Sequence, residues 1–145
     1  MAIRHPVLLI TDLDNRLCAK SLIDSWFGNL NINVNLKFRV AVREMEAWLL
    51  ADHHGMRELL GRGGNNIAPN PDGIQNPKEY LLERAKRAPS EIKNDLVRAR
   101  GSAAVQGLGY NARLSEFVRT TWSLEQASQR SESLVKAVER LKELL

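Results

Sequence analysis

The chain has one cysteine, Cys18, among its 145 residues. A single thiol excludes an internal disulfide and fits a reducing, cytoplasmic setting. No apolar run approaches the roughly 20 residues that a membrane helix needs, so no membrane-spanning segment is expected. No small-residue cleavage site follows the first residues, which lead straight into an apolar run, so no signal peptide is expected. Gly61-Arg62-Gly63-Gly64 lacks the spacing and the Lys-Ser/Thr ending of a phosphate-binding P-loop. His53 and His54 are adjacent, and neighbouring helical residues do not share a face, which makes them a poor chelating pair. There is no internal repeat and no composition break, so residues 1–145 read as a single domain. What remains is an ordinary globular composition, 43% apolar and 26% charged, with a net charge of +4. That mild basicity permits contact with nucleic acid without demonstrating it.

The stretch that organises the chain is Val7-Leu8-Leu9-Ile10-Thr11-Asp12-Leu13-Asp14. A short, unbroken apolar run after Pro6 reads as a buried strand of a parallel sheet. Asp12 and Asp14 follow it directly. Ligands of open parallel sheets gather past the carboxyl ends of the strands, and two carboxylates there suit a hard cation such as Mg²⁺. The structural alternative is that Asp14 or Asn15 caps the next helix. Leu17, Cys18, Leu22, Ile23, Trp26 and Phe27 predict that helix over about 16–27, with Gly28 as its stop.

From Leu30 to Arg43 apolar and polar residues alternate, which predicts a strand at 36–42 with one face buried and one wet. Lys37, Arg39 and Arg43 share the wet face, either as a phosphate-attracting surface or as a solvated strand. A helix follows, with Glu44 and Glu46 in its first turn, favoured there by the helix dipole. A strand, crossover helix and second strand of these lengths make parallel neighbours, which brings both glutamates to the edge that carries Asp12 and Asp14. Gly55 should end this helix, with the two histidines complementing its carboxyl end.

The second half reads as helical. Gly61–Gln75 is a surface connection rich in Gly, Asn and Pro. Asn76-Pro77-Lys78-Glu79 predicts a capped helix start. Pro89-Ser90-Glu91 opens a short helix through Leu96. Asn111 should cap a helix carrying Leu114 and Phe117. Ser123 and Gln126 form a capping box for a last helix whose apolar side holds Ala127, Leu134, Val138 and Leu141. The fold class is therefore α/β: a small parallel sheet in 1–55 and a largely helical 56–145. Two strands alone are marginal, and Val7–Ile10 is too apolar for an open edge. A second copy of the chain, a partner protein, or the C-terminal helices folding back should cover it.

The segments Leu9-Ile10-Thr11-Asp12-Leu13-Asp14 and Val40-Ala41-Val42-Arg43-Glu44-Met45-Glu46-Ala47-Trp48-Leu49-Leu50 together resemble the second half of a TOPRIM-like core. The likeness is to a bacterial family related to RloB-type and OLD-type defence nucleases. Asn76-Pro77-Lys78-Glu79, Gly107-Leu108-Gly109-Tyr110-Asn111 and Ser131-Glu132-Ser133-Leu134 are similar to recurring motifs of that family. The resemblance implies Mg²⁺-dependent phosphoryl or phosphodiester chemistry on nucleic acid. Asp12, Asp14 and Glu46 would be metal ligands, with Glu46 also the acid or base. Lys37, Arg39, Arg43, Lys78, Arg84 and Arg87 are the candidate nucleic-acid contacts. TOPRIM domains carry a further strand–Glu–helix unit upstream of the Asp-x-Asp strand. Here Val7 has only six residues before it, so the expectation is a truncated or degenerate domain. The alternative is a non-catalytic module that binds a protein partner or nucleic acid in a bacterial defence system.

Overall fold

The computed structural model describes residues 5–13, 18–28, 30–31, 33–41 and 44–143. Strands β1 (Val7–Asp12) and β2 (Leu36–Ala41) pair in parallel, in register from Val7 opposite Leu36 to Asp12 opposite Ala41. Helix α1 (Ala19–Phe27) makes the crossover between them. It is shorter than the sequence suggests: Cys18 caps it, with Sγ accepting from the Ser21 amide. Gly28 ends it as expected, at φ +47°. The chain then forms α2 (Glu46–Ala51), α3 (His53–Leu60), α4 (Pro77–Ala85), α5 (Ser90–Leu96), α6 (Tyr110–Thr120), α7 (Leu124–Ser128) and α8 (Glu132–Lys142). The connection after α3 holds two short 3₁₀ turns, at Gly61–Gly64 and Pro71–Gly73.

The alternation in β2 sorts its side chains as predicted, but neither face is left wet. Phe38 and Val40 pack with Leu13 and Leu22 under α1. Ala41, on the other face, packs with Trp48, Ala127, Leu134 and Ala137, joined by Ile10. That second face is the one carrying Lys37 and Arg39, and α8 lies across it. The Lys37 ammonium pairs with Glu143 at 3.2 Å. Arg39 lies among Arg140, Glu139 and Glu143, and burial, then Arg140, pull its pKa below the usual guanidinium value. Parallel strands are normally covered on both faces, and the acids near the end of α8 make a basic face coverable. The C-terminal helix α8 thus covers a face of β2, while Leu9 in β1, the strand for which a covering was expected, is exposed.

The largest apolar cluster lies in the helical half, where Leu50, Met56, Leu60, Leu81, Leu96 and Phe117 are buried. Several helix boundaries differ from expectation. His53 and His54 do not finish a helix; they start α3, whose first turn is capped by Asp52. Gly55 lies inside α3 rather than after it. A Cβ there would meet Asp52 Oδ2 at 2.5 Å and the Phe117 ring at 3.2 Å, so close approach, not chain termination, calls for glycine. α6 begins at Tyr110, one residue before the expected cap Asn111. Asn76 gives α4 no side-chain cap, although Pro77 takes the first helical position as predicted. Ser123 Oγ does accept the Gln126 amide, at 3.3 Å. The helix it starts is short, because Ser131 accepts the Leu134 amide at 3.2 Å and opens α8 separately. Leu141, expected on the buried side, is exposed.

Asp52 is 1% exposed and holds two elements at once. Its Oδ1 accepts the Gly55 amide at 3.0 Å and its Oδ2 the Ser123 amide at 2.8 Å. Asp52→Ala leaves the buried Gly55 amide and the half-buried Ser123 amide without this partner and should lower unfolding stability by about 3 kcal/mol. Asp52→Asn keeps one acceptor oxygen and should lose less. Urea melts of both variants check the order, and equal, small losses would show that neither bond matters.

Candidate functional site

Asp12 is the last residue of β1, and its Oδ1 accepts the Met45 amide at 2.8 Å. This bond ties the carboxyl end of the strand to the start of α2, as the parallel arrangement requires. One residue on, Glu46 opens α2, and its Oε1 accepts the Tyr110 hydroxyl at 2.6 Å. Glu44, just before the helix, turns towards α4 instead: its Oε2 accepts the Lys78 amide at 2.7 Å. The Lys78 ammonium in turn sits 5.1 Å from the centre of the Tyr110 ring. Tyr110 is thus the hub where β1, α2, α4 and α6 meet, and it is 3% exposed.

The electrostatics follow from that placement. Burial pushes the Tyr110 phenol well above its ordinary pKa. The Glu46 hydrogen bond and then the charges of Glu46, Glu44 and Asp12 push it in the same direction. Three carboxylates from two chain segments therefore act on one phenol. Beside them a cavity of about 640 Å³ runs between α2 and α6, walled by Asp12 and Glu46 at the helix starts and by Leu114, Val118 and Trp122 further along. Trp122 closes that wall by donating its indole N–H to the Trp48 carbonyl at 3.2 Å.

Asp12 and Glu46, predicted from sequence, do reach one cavity. Asp14 and Arg43 lie outside the described residues. Among the described residues no group of three or more His, Cys, Asp or Glu side chains is gathered so as to hold a metal ion. Among the described residues, most of the predicted nucleic-acid contacts already have partners within the fold. Lys37 and Arg39 lie under α8, and Lys78 lies against Tyr110. Arg84 braces the loop before α4, donating to the carbonyls of Asn65 and Asn66 and to the Tyr80 hydroxyl. Arg87 is exposed.

Sequence reasoning gave no role to Tyr110 or to the amide of Lys78. The only signal was indirect: both lie in segments similar to recurring family motifs. No helix among the described residues is long and apolar enough to cross a membrane. Comparison with protein-family models, with curated proteins and with solved structures finds no match for this chain.

The raised phenol makes a pH prediction. A group whose proton is held more tightly in the folded state stabilises the fold below its unfolded pKa, about 10 for tyrosine, and that contribution is lost as pH rises further. In ultraviolet titration Tyr110 should ionise only together with unfolding, and Tyr110→Phe should remove that late step while weakening the loss of stability above pH 10. A phenol that titrates near 10 in the folded protein would contradict the buried Glu46 bond.

Proposed function

We propose that this chain carries a TOPRIM-like, divalent-cation-dependent site for phosphoryl chemistry on nucleic acid, at the carboxyl end of its parallel sheet. The observation that supports this is the convergence of Asp12, from the end of β1, and Glu46, from the start of α2, on one cavity. Crevices at that end of a parallel sheet are where α/β folds bind ligands. The donors are all carboxylate oxygens, the type that Mg²⁺ takes. Asp12 and Glu46 would hold the ion, with Asp14 as the further ligand that the pair of aspartates implies. Bound there, Mg²⁺ would neutralise charge on a phosphate oxygen. Glu46 is held in orientation by the Tyr110 hydroxyl. Its carboxylate would be the acid or base that the family resemblance implies. Tyr110 keeps its own proton and serves to position Glu46.

A second reading has its own observation. Asp12 and Glu44 each accept a backbone amide at a helix start, which gives both acids a structural purpose. On that reading the chain is a non-catalytic module of a bacterial defence system that binds a protein partner or nucleic acid.

Calorimetric titration of Mn²⁺ into the wild type, Asp12→Asn and Glu46→Gln separates the two. The first reading predicts saturable binding that weakens about tenfold or more in each variant. Asn at position 12 can still accept the Met45 amide, so the fold should persist. Identical isotherms for all three proteins would leave the second reading in place.

A further inference from the structure

A second cavity, also of about 640 Å³, lies at the other end of α2 from Glu46, between the start of α3 and the loop that follows it. Its wall includes His53, Arg57, Asn65, Asn66 and Arg130 and contains no acidic side chain. Among the described residues neither Arg57 nor Arg130 forms an ion pair. Arg130 is steadied by one donation to the Gln126 carbonyl at 3.2 Å. We infer that this cavity is a binding site for a terminal phosphate group, held by Arg57 and Arg130 with the side chains of Asn65 and Asn66 at its rim.

The walls are fixed in advance. His53 Nε2 lies 3.2 Å from the Ala68 carbonyl, tying the start of α3 to the loop. Gly64 packs so closely that a Cβ would sit 2.3 Å from the Met56 carbonyl oxygen. Asn66 takes a left-handed conformation, φ 54°, and its carbonyl and that of Asn65 are both taken by Arg84. The two carboxamide side chains remain exposed. Asp52, next to His53, has its two oxygens on the Gly55 and Ser123 amides, and Glu58, next to Arg57, lies against His54 at 3.6 Å. The imidazole of His53 registers the excess positive charge: burial first, and then Arg130 and Arg57, lower its pKa against the opposing effects of the Ala68 bond and Asp52.

Two guanidinium charges match the dianion of a phosphomonoester better than the single charge of a backbone diester. Their forked N–H groups suit its oxygens, and carboxamide donors can add to them. The monoester has two sources, a small phosphorylated metabolite or the 5′ end of a nucleic acid strand. This inference does not depend on the cation site proposed above.

The test is calorimetric titration with AMP, adenosine, and a tetranucleotide with a 5′-phosphate or a 5′-hydroxyl. Binding should require the phosphate. It should weaken at least about tenfold in Arg57→Gln and in Arg130→Gln, and stay unchanged in a variant of the exposed Lys93, Lys93→Gln. Tighter binding of the phosphorylated tetranucleotide than of AMP assigns the site to a strand end; the reverse order assigns it to a small phosphomonoester. Amide resonances of Asn65 and Asn66 in the wild type should shift on adding AMP, which locates the site without any variant. Binding indifferent to the phosphate, or shifts confined to other regions, overturns the inference.

Discussion

The structure depends on carboxylates that reach across the chain to satisfy amides at the starts of distant helices. Asp12 accepts Met45 at the entry to α2, and Glu44 accepts Lys78 in the first turn of α4. Asp52 serves both α3 and the Ser123 that precedes α7. Asp72 accepts the Ser133 amide in α8 at 3.0 Å, as well as the hydroxyls of Ser131 and Ser133. The first N–H groups of a helix have no partner inside it and carry partial positive charge, so an acid there forms a charge-assisted bond. Apart from the local cap of Asp52 on Gly55, each bond comes from another element and so fixes where two elements meet. A two-stranded sheet cannot define an architecture alone. Here it is held between α1 and α8, and its carboxyl end is stitched to α2.

This explains which parts of the fold could be read from the sequence. Signals that act within four residues were legible: the apolar run of β1, the alternation in β2, Gly28 as a stop, Pro77 at a first helical position, and Ser123 with Gln126. Asn76 and Asn111 have the right composition for caps, yet their helices start without their side chains, because Glu44 reaches the Lys78 amide and α6 begins one residue early. The break between α7 and α8 was equally hidden. Ser131 opens a new helix where apolar periodicity continues through it, and Asp72 supports that start from 59 residues away in sequence. The second face of β2 looked wet because its basic residues could be seen and the matching acids of α8 could not be placed.

The candidate site follows the same division. Asp12 and Glu46 were identifiable as acids at the end of one strand and the start of one helix. Tyr110 and the Lys78 amide come from the helical half and were given no such role, although Tyr110 holds Glu46 and the Lys78 amide holds Glu44. Asp12, which ties β1 to the start of α2, therefore also walls the cavity at the sheet's end, beside Glu46. That dual use limits how freely it can change: Asp12→Asn preserves the acceptor for Met45 while removing the charge, whereas a shorter or apolar residue removes both. At the opposite end of α2 the charge reverses, with Arg57 and Arg130 facing a cavity that no acid enters. One short helix thus separates a largely apolar cavity with Asp12 and Glu46 in its wall from one whose wall holds two guanidinium groups.

Long-range capping is tested most directly by hydrogen exchange at one amide. In Glu44→Ala the backbone amide of Lys78, 34 residues away in sequence, loses its acceptor. Native-state exchange measured by NMR should then speed up at Lys78 by about tenfold, while amides inside α2, whose entry is tied by Asp12, keep their protection. An unchanged rate at Lys78, or a uniform loss of protection along α2, would contradict the view that Glu44 acts as the distant cap of α4.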